Sequence, residues 1–146
     1  MSPVTNRITI RRPIEDVFAI LTDVEQTGKW FPWDVEEHWT SPPPHSVGST
    51  RRAVTTMLGR RTGNDAVVTE YQPPHRAVMK GTSPNAPFTA TLTFASEGDG
   101  TRVEVTTELV FRGGARVIGP VFAAMYGRAW SRGLRNLKQM MESGAL

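Results

Sequence analysis

The chain has 146 residues, of which 38% are hydrophobic and 21% charged, and its formal net charge is +3. That length fits one domain over residues 1–146 and removes roughly 68–70% of the unfolded surface from water, and the composition lies far from that of a disordered chain. The absence of cysteine excludes disulfide scaffolds, thiolate metal sites and cysteine nucleophiles, and no apolar run reaches the ~20 residues that span a bilayer.

The opening Met1-Ser2-Pro3-Val4-Thr5-Asn6-Arg7 lacks the apolar core of a signal peptide, so a soluble cytoplasmic protein with no integral membrane association is expected. Its arginines are scattered among acidic residues, as with Arg102 and Glu104. They read as a solvated surface and not as a nucleic-acid face.

From Val4 to Arg11 the residues alternate, with Val4, Ile8 and Ile10 on one side, the period of a half-buried strand. Pro13 ends it and opens a helix, because the first helical turn leaves its missing donor unused. Ile14, Val17, Phe18 and Leu21 follow at helical spacing. Asp23 with Gln26 forms a capping-box pattern for a second short helix that runs out near Gly28 to Trp30.

The middle of the chain reads as hairpins. Strands are expected over Val35 to Thr40, Ser49 to Met57, Arg61 to Tyr71 and Arg76 to Thr82, separated by Ser41-Pro42-Pro43-Pro44, Leu58-Gly59-Arg60 and Gln72-Pro73-Pro74. Phe88, Ala90, Leu92 and Phe94 then alternate with threonines, Glu97-Gly98-Asp99-Gly100 turns the chain, and Val103, Val105, Thr107, Leu109 and Phe111 resume the pattern. After Gly113-Gly114 the period changes: Ile118, Phe122, Tyr126, Trp130, Leu134, Leu137 and Met141 predict an amphipathic helix of about 25 residues.

Strand, two short helices, six strands and a long helix is an α+β order that resembles the helix-grip fold of the START/Bet v 1-like (SRPBCC) superfamily. Its polyketide cyclase/dehydrase and lipid-transport branch is the most similar. The resemblance is carried by Ile8-Thr9-Ile10-Arg11-Arg12-Pro13-Ile14-Glu15-Asp16-Val17-Phe18, by Leu21-Thr22-Asp23 leading to Trp30, by Gly48, by Glu70-Tyr71-Gln72-Pro73-Pro74 and by Gly100-Thr101-Arg102-Val103. It implies a curved seven-stranded antiparallel sheet around the C-terminal helix, with a cavity between them for a hydrophobic small molecule such as a lipid, an isoprenoid or a polyketide. Members of the branch include carriers and a minority of cyclases or dehydratases, so the fold leaves binding and catalysis both open, and a third alternative is an interaction module whose basic helix face and exposed aromatic loop bind another macromolecule. No metal or cofactor is called for, and no oligomeric state is encoded in these patterns.

Under that fold, Phe88, Ala90 and Leu92 on one strand, Val105, Thr107 and Leu109 on the next, and Phe122, Met125, Tyr126 and Trp130 on the helix are the candidate lining; the alternative is a packed core without a void. Phe31 and Trp33 suit a pocket mouth, whereas Trp30 reads better as a structural plug. The loop of Pro84, Asn85 and Pro87 and the Gly113-Gly114 hinge are either gates or ordinary turns.

For catalysis the histidines His38, His45 and His75 are too far apart in sequence to suggest a metal site. Glu70 is the weak candidate: turned inward it is a buried acid of raised proton affinity, turned outward a surface charge, and the rarity of buried unpaired carboxylates favours the surface. Arg51 or Arg52 either neutralises it, binds an acidic headgroup, or is merely solvated.

Overall fold

Alternating strand patterns leave one apolar face that must be covered, and a single long amphipathic helix covers it. The computed structural model describes residues 3–83, 87–111 and 113–146; Pro84 and Asn85 of the proposed gate lie outside the described residues. Seven strands, β1 (Val4–Ile10), β2 (Asp34–Trp39), β3 (Thr50–Met57), β4 (Arg60–Gln72), β5 (Arg76–Gly81), β6 (Phe88–Glu97) and β7 (Gly100–Leu109), form one curled antiparallel sheet in the order β1-β7-β6-β5-β4-β3-β2. Each hairpin neighbour pairs with the next, and β1 closes the far edge by pairing with β7, Ile8 opposite Val103 and Ile10 opposite Thr101.

Turn chemistry fixes the registers. Leu58 and Gly59 join β3 to β4 with φ of 51° and 76°, so both central residues are left-handed, the geometry that matches strand twist in a two-residue hairpin. Gly98 and Asp99 join β6 to β7, where Glu97 pairs with Gly100; here only the first central residue, Gly98 with φ of 62°, is left-handed.

Helix α1 (Ile14–Thr22) starts after Pro13 and buries Ile14, Val17, Phe18 and Leu21. Asp23 caps the following 3-10 turn (Val24–Gln26) by accepting from the Glu25 N–H at 3.1 Å. The reciprocal half of the expected capping box is replaced: the Gln26 amide donates to the Asp23 carboxylate at 3.4 Å, side chain to side chain. Helix α2 (Thr27–Trp30) then delivers Trp30 to the interior.

Helix α3 (Ala115–Glu142) has 28 residues, about 42 Å at the α-helical rise. Its inner stripe holds as expected from Phe122 onward but not at Ile118, which is 62% exposed. The reason is geometric. Each four-residue step turns about 40° past a full circle, so Ile118 and Leu134, four steps apart, cannot share one face.

The C-terminal half of α3 seals one end of the molecule. Leu134, Leu137 and Met141 are buried with Ile10, Val17, Phe18, Val103 and Val105 in one cluster. Polar ties clamp the same end: Arg12 donates to the carbonyls of Met141 (2.8 Å) and Leu146 (3.0 Å), and Lys138 donates to the Thr9 carbonyl at 2.7 Å. At the Met141 carbonyl the arginine joins the Gly144 N–H, which donates there at 3.2 Å, so the last turn of the helix is tied to the β1–α1 corner.

Candidate functional site

The other end is hollow. Between the concave face of β2–β6 with the end of β7, the short helices and the first half of α3 lies a cavity of about 450 Å³. It follows from side-chain size: inward positions on the sheet include Ala53, Ala77, Ala90 and Thr55, which do not reach the helix that Phe122, Tyr126 and Trp130 present.

Of the residues proposed to line it, Phe31, Trp33, Phe88, Ala90, Leu92, Leu109, Phe122, Tyr126 and Trp130 border this space. Val105, Thr107 and Met125 do not. Val105 is fully buried opposite Asn6 and Leu92 and belongs to the packed cluster. Thr107 is likewise buried, its hydroxyl beside the Tyr126 phenol. Met125 is 42% exposed and lines a separate surface depression, since it sits about 100° around the helix from Tyr126.

One wall of the cavity is aromatic. The Trp33 ring meets Phe31, Phe122 and Tyr126 at centroid distances of 5.7, 6.1 and 5.9 Å, and Trp130 meets Trp30 and Phe31 at 5.6 and 5.3 Å. Such tilted and edge-on pairs hold rings in fixed places beyond what burial alone supplies. Trp30 is almost fully buried, and its ring lies where a β-carbon on Gly133 would come within 3.2 Å, so it pins α2 to α3 while one side borders the hollow. At the opposite rim His45 stacks on Trp39 at 4.0 Å.

A bulge decides the fate of Glu70. Strict alternation after Ala66 and Val68 would turn Glu70 inward, but the register shifts between Val68 and Glu70, leaving Thr69 unpaired. The phase flips. Tyr71 now borders the cavity, while Glu70, with a side chain 44% exposed, pairs with Arg76 at 3.3 Å. Glu70 is therefore no cavity acid.

The buried charges are instead Glu37 and Arg51, diagonal neighbours on β2 and β3, where Glu37 faces Ala53 and Trp39 faces Arg51. Their side chains are 12% and 8% exposed and approach to 3.0 Å. Arg51 also donates to the Asn64 side-chain oxygen at 2.6 Å and to the Met79 sulfur at 3.3 Å, and its guanidinium carbon lies 5.5 Å from the centroid of the Phe88 ring. Among the described residues its Nη2 makes no hydrogen bond to protein. Arg52, one residue on, points outward to Asp65 at 3.1 Å.

Burial pushes the Glu37 carboxyl up from its ordinary value despite the Arg51 charge and a hydrogen bond with Thr27, both of which pull it down. Desolvation outweighs attraction there, as is common for an ion pair removed from bulk water. Burial also raises the Tyr126 phenol, opposed in part by the Trp130 and Thr107 side chains. Among the described residues the Trp130 indole N–H itself has no hydrogen bond of good geometry.

Glu37 has a signal in the sequence: Val35, Glu37 and Trp39 share one face of an alternating strand, which sets a carboxylate between two apolar neighbours. Asn64 gave no comparable signal, because the first half of β4 is polar on both faces.

The architecture matches solved structures of very different sequence. TTHA0849 from Thermus thermophilus superposes with a TM-score of 0.82 at 17% identity, covering 99% of this chain and all of that one. NE0264 from Nitrosomonas europaea gives 0.75 at 17% identity, covering 99% and 97% of the two chains. DynU16, a protein of the dynemicin biosynthetic locus, gives 0.71 at 18% identity, covering 99% of this chain but 48% of its own length. No curated protein matches in sequence. The family model described as polyketide cyclase/dehydrase and lipid transport matches residues 1–142, and the chain belongs to that family.

Proposed function

We propose that the chain acts as one binding domain for a hydrophobic small molecule, held with its ring-bearing or branched apolar body against the aromatic wall and one hydrogen-bond-accepting group at Arg51. The observation that carries this reading is the composition of the hollow: a space of about 450 Å³, walled mainly by aromatic and aliphatic side chains, with a buried polar cluster of Glu37, Arg51 and Asn64 and the exposed Arg60 also on its border. Pockets for small ligands are commonly of this size, apolar, with few convergent polar groups. The Nη2 of Arg51, which donates to no protein group among the described residues, fits a carbonyl, carboxylate or phenolate oxygen of the ligand, because a guanidinium carries five donors in a planar fork.

Fluorescence titration with anilinonaphthalene sulfonate, an aromatic body with an anionic end, tests the reading, alongside native mass spectrometry of protein purified from its host. Saturable binding that raises the melting temperature is expected, lost in Ala90→Trp and weakened in Arg51→Gln. A folded wild-type protein that binds neither the probe nor any host molecule would sink it.

A second reading has its own observation. Glu37, with raised proton affinity, and Tyr126 border the same cavity, which is how a proton-shuttling cyclase or dehydratase would be equipped. Turnover that disappears in Glu37→Gln while probe binding persists would establish it.

A further inference from the structure

We propose that the outer face of α3 docks this protein on an anionic lipid bilayer. That face has two parts. Val117, Ile118, Val121 and Met125 stand 82%, 62%, 63% and 42% exposed over its first turns. Arg128, Arg132 and Arg135 follow, also exposed. At about 100° per residue all seven fall within a sector of about 100°, directed away from Tyr126 and Leu137.

The charges on this face are unlike those on the sheet. Most outward arginines of the strands have carboxylates beside them: Arg7 with Glu104, Arg52 with Asp65, Arg76 with Glu70 and Arg102 with Glu97, Arg60 at the start of β4 being the exception among the described residues. Among the described residues no ion pair engages Arg128, Arg132 or Arg135. No acidic residue occurs anywhere from Ala115 to Gln139.

Apolar side chains beside unpaired arginines are the two requirements of a helix that lies in a membrane interface, where the former enter the acyl boundary and the latter meet lipid phosphates. Other occupants satisfy one half only. A second copy meeting this face about a two-fold axis through its middle would set the arginines of each copy against the apolar side chains of the other. A nucleic-acid duplex would take the arginines and leave the apolar side chains in water.

The face is also continuous with the cavity. Pro32, Trp33, Met125, Arg128, Ala129 and Arg132 line a surface depression, and Trp33 borders the interior hollow as well. Docking sets that shared tryptophan wall at the bilayer, the phase in which an apolar ligand dissolves.

Co-sedimentation with phosphatidylcholine vesicles, with and without phosphatidylglycerol, is the test. Binding is expected to the anionic vesicles only and to fall with added salt. The triple variant Arg128→Ala/Arg132→Ala/Arg135→Ala should weaken it about 100-fold, and Val117→Ser/Val121→Ser should weaken it too, both with unchanged melting temperature. Anilinonaphthalene sulfonate titration of these variants without lipid should match wild type, which separates a failure of docking from a failure of the cavity reading. The proposal is overturned if folded wild type sediments with neither vesicle, or if the variants bind undiminished. It is equally overturned if, without vesicle binding, the face instead supports a dimer abolished by Val117→Ser/Val121→Ser or duplex DNA binding abolished by the arginine substitutions.

Discussion

The two halves of α3 face the same sheet with opposite results. Around its C-terminal half, Leu134, Leu137 and Met141 are buried in one cluster with side chains from β1, α1 and β7. Around its N-terminal half, larger rings span a wider gap to alanines and threonines, and about 450 Å³ stays empty. Packing density, not hydrophobicity, separates them: both halves are apolar, but only one has partners of the right length. A close-packed region resists any change of volume, whereas a hollow absorbs it.

The largest test of that contrast is truncation. Leu137→Ala, at a fully buried position, should cost about 4 kcal/mol in urea unfolding, because it removes contacts and leaves a new cavity. Leu92→Ala borders space that already exists and should cost about half as much. Equal losses would break the comparison.

Enlargement should show the mirror image. Val103→Phe overpacks the sealed end and should cost about 3 kcal/mol, whereas Ala90→Trp extends into the void and should shift stability by less than about 1 kcal/mol. Comparable destabilisation of the two variants would mean that the hollow is not available to side chains.

Charge comes next. Arg51→Met leaves Glu37 without its counter-charge and should cost about 2 kcal/mol, below the usual range for a broken buried pair because the cavity admits water. Adding Glu37→Gln to that variant should recover most of the loss in a double-mutant cycle. A double variant as unstable as Arg51→Met alone would indicate that Arg51 acts through packing on Phe88 and Met79.

The smallest effects lie in pH dependence, and the two ends should respond with opposite sign. Glu142 at the sealed end is held below its ordinary value by hydrogen bonds from Lys138 and the Arg11 N–H and by their charges. It stabilises the fold above the ordinary carboxylate range, and that contribution disappears as the pH falls through the lowered value. Glu37 has a raised proton affinity, so its native advantage is complete below the ordinary range and is lost as the pH rises through the raised value. Stability curves of Glu142→Gln and Glu37→Gln against pH should therefore diverge from wild type on opposite sides of the ordinary carboxylate range. Divergence on the same side would reverse one of the two assignments.

Much of the candidate lining could be read in the chain because alternation specifies faces. Phe88, Ala90 and Leu92 had to share one side of β6, and they do. What alternation could not report was interruption or depth. The bulge at Thr69 exchanged Glu70 for Tyr71, a change that depends on how β4 meets β5. Depth removed Val105 and Thr107 from the lining although they share its face: one lies in the packed cluster and the other beside the Tyr126 phenol. Helical drift moved Ile118 to the outside, where a repeat near four residues slips relative to a turn of 3.6, and Met125 lies outside because it is one residue, about 100°, around the helix from Tyr126.

By itself the sequence determined the order of elements, the strand turns and the apolar stripe of the long helix, because each rests on chemistry local to a few residues. Only the tertiary structure decided which part of that stripe meets solid packing and which meets a void, and which charged side chains share the interior. Those depend on distances between strands remote in sequence, such as Glu37 to Arg51 across β2 and β3, and no local pattern encodes a distance across a sheet.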